Sequence, residues 1–158
     1  IYGDIVKKKV CKPNEADNIF CSHVLEHLSY FDSIKALKNI YEMLKPGGVF
    51  RVVVPSLEER IDKYMIDRDA NKFMKSLGCV NEDENNNLIN KLRFLLGNSR
   101  HRWMFDSNSL KKVLSNAGFK DIRACKFNDS NIEVFSEVEE IGRFIENDFP
   151  AISFHCIK

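Results

Sequence analysis

Two hydrophobic periods alternate between Ala16 and Pro55. Asn18 to Ser22 (NIFCS) is a short apolar run bounded by polar residues, the pattern of a strand buried on both faces of a parallel sheet. From Asp32 to Leu44 the apolar positions Ile34, Leu37, Ile40, Tyr41 and Leu44 recur at helical spacing. Asp32 is the expected N-cap, and Lys45-Pro46-Gly47-Gly48 the expected stop. Val49 to Val54 (VFRVVV) is β-branched and nearly continuous, so an interior strand is expected there, with Arg51 obliged to reach an edge or a partner. Strand, helix, glycine turn and strand together make a βαβ unit of an α/β sheet.

The flanking pattern adds elements to that unit. Ile1 to Ala16 reads as a strand end, a Gly3-Asp4 turn and a polar loop in which Lys7-Lys8-Lys9 form a solvated face. Ser56 and Glu59 satisfy the S-x-x-E capping box, opening a helix whose Leu57, Ile61, Tyr64 and Met65 share a face. A further helical stretch runs through Phe73, Met74 and Leu77. Gly78 to Asn87 is a polar loop, and Leu88 to Leu96 is helical up to Gly97. Asp106 or Ser107 caps a helix with Leu110, Val113, Leu114 and Ala117 on its apolar face and Gly118 as the left-handed residue beyond it. Asp121 to Phe127 and Ala151 to Ile157 alternate as strands do, with a helix of about ten residues expected around Val138 to Ile145.

Composition narrows the class. The 158 residues suit one domain, and 44% hydrophobic with 30% charged residues is ordinary globular usage. A net charge of +1 gives no case for nucleic acid or an anionic membrane. The five cysteines are odd in number and never in a C-x-x-C pair, which argues against a disulfide framework and a zinc cluster. No metal is assigned, a reducing cytoplasm is the default, and neither a leader nor a membrane-length apolar run is visible. The chain opens on Ile1 rather than Met, so a fragment of a longer protein is expected.

The run D-x-x-x-x-x-H-V-L-E-H-L, followed by L-K-P-G-G-x-F-x-x-V-V-P, resembles the second half of class I S-adenosylmethionine-dependent methyltransferases of the branch called type 11. The later W-M-F-D-x-x-S-L-x-x-x-L-x-x-A-G-F resembles members of that branch found in polysaccharide and glycolipid biosynthesis. The resemblance spans Gly3 to Lys158. It implies a Rossmann-like methyltransferase sheet, incomplete here (strands 3 or 4 to 7 with flanking helices), forming one partial domain over 1–158 with a helical insertion at about 56–100. It also implies S-adenosylmethionine as cofactor and a small acceptor, a sugar or a polysaccharide or glycolipid precursor.

Carried over by position, Asp4 and Ile5 match the segment whose acidic residue meets the adenine amino group, a task for an acceptor-only carboxylate. Ser22 and His23 match the end of the fourth strand beside the methionine portion. His23 is the candidate base for an acceptor hydroxyl, because imidazole titrates near neutral pH. Glu26 and His27 are expected to fix the strand–helix junction. His101, Arg102 and Trp103 fall on the acceptor side, where a planar donor and an indole suit a sugar or its phosphate. The same family grips its cofactor with a glycine-rich loop after strand one and an acidic residue ending strand two. This chain has seven glycines and no G-x-G-x-G cluster, so it supplies part of a cofactor site at most.

Two rival readings stand beside this one. His23-Val24-Leu25-Glu26-His27 also fits H-x-x-E-H, the inverted zinc-peptidase signature, which needs both histidines on one helix. The other rival is a non-catalytic methyltransferase-like domain used for assembly, with a homo-oligomer or a partner covering an exposed sheet edge.

Overall fold

The computed structural model describes residues 3–7, 10–78 and 100–158. The helix expected at Leu88–Leu96 and nearly all of the 78–87 loop lie outside them, as do Lys8 and Lys9. The elements in order are β1 (Ala16–Ser22), a 3-10 turn (Leu25–His27), α1 (Tyr30–Met43), β2 (Leu44–Pro55), α2 (Leu57–Asp67) and α3 (Ala70–Ser76). Then come α4 (Ser107–Ala117), β3 (Lys120–Ala124), α5 (Glu133–Val138), α6 (Ile141–Phe144), β4 (Ile145–Glu146) and β5 (Phe149–Ile157).

The sheet order is β1-β2-β5-β3, with β4 pairing β5 off that path. β1 and β2 are parallel, whereas β5 runs antiparallel to both β2 and β3. The expected βαβ unit is therefore present, and the chain closes by sliding β5 between β2 and β3. Between β1 and β2 the register steps from Ala16↔Leu44 to Asn18↔Val49, so Lys45–Gly48 bulge out of the ladder as the expected turn, although the strand is continuous from Leu44.

Successive residues of β2 face opposite sides. Phe50, Val52 and Val54 join Ala36, Leu37, Ile40 and Met43 of α1 and Leu110, Val113 and Leu114 of α4 in one core. On the other face Arg51 is wholly buried, and the partner it needed is a C-terminal cluster: Nη1 donates to Asp129 at 2.9 Å, Nη2 to the Lys126 carbonyl at 3.0 Å, and Nε faces Glu139 at 2.5 Å. Its guanidinium also lies 5.4 Å from the Phe135 ring centre.

Four expectations need correction. α1 starts at Tyr30 with Ser29, not Asp32, as N-cap, because the Ser29 hydroxyl accepts from the Asp32 amide while donating to its carboxylate. α2 does begin after Ser56, yet Ile61 and Met65 are exposed and the buried side chain is Arg60. The single helix around Val138 to Ile145 is two short ones, α5 and α6, broken at Glu139-Glu140. The strand starting near Ala151 begins at Phe149 and pairs with Ile145-Glu146 across Asn147-Asp148; both turn residues have positive φ (50° and 67°), as a type I′ hairpin requires. By contrast α4 keeps its Asp106 cap, a reciprocal box with Ser109, and Gly118 at φ 110°. No helix among the described residues is long and apolar enough to cross a membrane.

Candidate functional site

The parallel pair ends level, with Cys21 opposite Val52 and Ser22 opposite Val53. Ligand sites in open α/β sheets form beyond such carboxyl ends. One more bond, from the His23 amide to the Val53 carbonyl at 3.0 Å, carries β1 to its limit; His23 then adopts a left-handed φ of 53° and turns the chain away. Only the 3-10 turn Leu25–His27 follows, so His23 and His27 do not share an α-helical face and the peptidase arrangement is absent.

The left-handed turn points the His23 ring inward, where it is 7% exposed. Its Nε2 lies 2.8 Å from the Arg143 carbonyl. A carbonyl only accepts, so the neutral ring carries its proton on Nε2 and leaves Nδ1 as acceptor. Nδ1 faces Glu26 Oε1 at 3.4 Å and Glu146 Oε1 at 3.7 Å. Glu26 is 1% exposed, and burial pushes its carboxyl up to about 7, with the nearby Glu146 carboxylate adding to the shift. Glu146 arrives through the β4–β5 hairpin and is held by Arg60 Nη2 at 2.6 Å. Arg60 is 2% exposed, donates to the Ser56 and Ser76 carbonyls at 2.8 and 2.6 Å, and covers Phe149.

The segment carrying His101, Arg102 and Trp103 is hung on this junction. The Glu26 carbonyl accepts from the Arg102 amide at 2.7 Å and from the Trp103 amide at 3.2 Å, so the backbone of Glu26 holds this segment. Fully buried Phe105 anchors the far end and accepts from the Leu57 amide. His101 turns in, with Nδ1 on the Leu77 carbonyl at 2.8 Å, and desolvation lowers its pKa. Arg102 is exposed. Trp103 is 41% exposed and packs on Tyr30 with ring centres 4.7 Å apart, while Phe31 stands exposed beside Tyr30. The apolar period of α1 gave no sign of Tyr30 and Phe31, because they lie in its first turn, ahead of the core stripe.

The amino-terminal candidates lie against the other side of β1. Asp4 closes a local turn, accepting from the Val6 and Lys7 amides at 2.9 and 3.1 Å, and these bonds, the Val6 one foremost, lower its pKa. Asn39 of α1 pins the Ile5 and Val6 carbonyls. Ile5 and Ser22 line one cleft of about 540 Å³ together with Gly3, Phe20, Val24 and Arg143. Ser22 lines the cleft, but its hydroxyl oxygen is itself buried and has no hydrogen-bond partner among the described residues. The structure thus brings Ile5, Ser22 and the segment flanking His23 together, whereas His101, Arg102 and Trp103 sit on the Glu26 side of the junction.

A methyltransferase domain family matches residues 4–124. No curated protein matches the sequence significantly. Among solved structures, the chain is similar to a SAM-dependent methyltransferase from Archaeoglobus fulgidus (TM-score 0.56, 15% identity, covering 100% of this chain and 66% of that one). It is also similar to a SAM-dependent methyltransferase of Thermotoga maritima described as a possible histamine N-methyltransferase (TM-score 0.58, 17% identity, 99% and 62%). A third is human N-acetylserotonin methyltransferase in complex with SAM (TM-score 0.50, 18% identity, 100% and 33%). The mixed sheet is that of Rossmann-like methyltransferases, and this chain spans only part of each of those proteins.

Proposed function

The chain belongs to the methyltransferase domain family, and on that premise we propose that it serves S-adenosylmethionine-dependent methyl transfer to an oxygen or nitrogen of a small acceptor. The observation that supports this most is the double hydrogen bond from Arg102 and Trp103 to the Glu26 carbonyl, which ties an exposed aromatic and cationic segment to the end of β1.

The residues present fit part of the cofactor. Ser22 lines a cleft within the usual size of ligand sites, and its orphaned hydroxyl, buried as it stands, can bond a polar group of the methionine portion once a side-chain rotation turns it into the cleft. Ile5 contributes apolar wall, and Asp4 contributes a carboxylate for adenine once its turn opens. When bound, S-adenosylmethionine supplies an electrophilic methyl on a sulfonium, and the protein's main task is alignment. His23 takes the acceptor's proton at Nδ1, the nitrogen without a carbonyl partner. Trp103, Tyr30 and Phe31 offer an aromatic surface, and Arg102 a fork for an anionic group, a combination suited to a sugar or sugar phosphate. The helices at 57–76 belong to the acceptor-side insertion.

Calorimetry with S-adenosylhomocysteine tests the proposal. Saturable heat that is lost in Ser22→Val is expected. Absence of heat from residues 1–158 and from a longer natural chain alike overturns the enzymatic reading and favours the assembly role. Turnover assays of the longer chain check the base: His23→Ala should lose roughly 100-fold or more, and full retention removes His23 from that role.

A further inference from the structure

We propose that Glu26, His27 and His101 form a three-ligand site for a divalent transition-metal ion of the zinc class. One ligating atom from each residue lies within 4.8 Å of the others. Tetrahedral coordination at about 2.0–2.2 Å needs ligand atoms roughly 3.3–3.6 Å apart, a contraction that small side-chain rotations provide.

Three independent features prepare the site. First, both histidines are oriented by the bond that metal-binding imidazoles habitually make: Nδ1 of His27 lies 3.1 Å from the Arg100 carbonyl and Nδ1 of His101 lies 2.8 Å from the Leu77 carbonyl. Each ring therefore donates from Nδ1 and keeps the Nε2 lone pair for a cation. Second, Glu26 is 1% exposed and neither carboxylate oxygen has a hydrogen-bond partner among the described residues. A buried carboxyl without donors either holds its proton or meets a cation, and a bound metal ion would displace that proton. Third, the His101 ring lies against bare backbone at Gly78, where an added Cβ would stand 2.5 Å from Nδ1 and where φ is 65°. Glycine there lets the ring close on His27, and the two ring centres are 5.1 Å apart.

Two imidazoles and one carboxylate suit Zn²⁺ and also Co²⁺, and leave a fourth position open. This ligand set is not the peptidase one, because His23 commits Nε2 to the Arg143 carbonyl. The His27 side chain is 26% exposed, giving an ion a route in. That the open position takes an acceptor oxygen rests on the methyl-transfer reading; the site itself does not.

The test uses the chelator-stripped chain of 158 residues and Co²⁺ as the probe. One equivalent should bind with visible d–d absorption and no thiolate charge transfer, Zn²⁺ should displace it, and Cys11→Ser should leave it unchanged. Glu26→Gln and His101→Ala should each weaken affinity at least tenfold. Glu26→Gln preserves shape, so it carries the test if His101→Ala fails to fold. No binding, a thiolate band, or affinity unchanged in these variants overturns the site, and none of these results bears on S-adenosylhomocysteine binding.

Discussion

Replacing Arg60 by methionine removes the one fully buried side chain of α2, and the cost can be set against substitutions on the face that its apolar period advertises. Arg60 makes three hydrogen bonds of 2.6–2.8 Å to Ser56, Ser76 and Glu146 and covers Phe149. Methionine fills similar volume but strands two carbonyls and the Glu146 carboxylate. Breaking a buried pair costs about 3–5 kcal/mol. Glu146 is 27% exposed and recovers some hydration, so about 3 kcal/mol is expected. Ile61 and Met65 are 42% and 53% exposed, so Ile61→Ser and Met65→Ser should each stay within about 0.5 kcal/mol. Urea unfolding should show a large fall in midpoint for Arg60→Met at constant slope, and almost none for the other two. The reverse ranking would mean that α2 packs by Ile61 and Met65, and that Glu146 is not held beside His23 by Arg60.

Other outcomes follow from the same contacts. Arg51→Met should cost about 3–5 kcal/mol by leaving Glu139 buried without its cation, and adding Glu139→Leu should recover much of it; strict additivity in the double-mutant cycle would refute the pairing. His155 lies between Arg51 and Arg123 in the sheet, and burial first, then those two cations, lowers its pKa below 6.5. Its unfolded form therefore binds more protons, so its contribution is intact above pH 6.5 and stability is lost as pH falls below that value. His155→Gln should gain on the parent between pH 7.5 and 5.5, and a pH-independent difference would remove this explanation.

Much of the core was legible because period, cap and stop agreed. Asp106, the Leu110/Val113/Leu114 stripe and Gly118 define α4 almost to the residue, and the β-branched run of β2 marks a strand buried on both faces. The start of α1 is also written in the chain, as Ser29-x-x-Asp32, with Ser29 as the cap and Asp32 as the third helical residue, from whose amide the cap hydroxyl accepts. α2 misled because a long cation that satisfies backbone carbonyls can be buried where an apolar stripe would be expected to face the core. No pattern marks Glu146, since its position depends on Asn147-Asp148, a two-residue turn signal lying beside a segment of helical period. Motif positions single out the end of β1 and the 101–103 segment. The attachment of that segment to the Glu26 carbonyl could not be named from them, because backbone hydrogen bonds across 76 residues leave no side-chain pattern.

The most direct measurement is backbone amide chemical-shift mapping of residues 1–158 titrated with S-adenosylhomocysteine. Saturable shifts concentrated at Ile5, Ser22 and His23 are expected, with α4 and β3 unmoved. No shifts at millimolar ligand in residues 1–158 and in a longer natural chain alike, or shifts centred away from the end of β1, would contradict the cofactor reading.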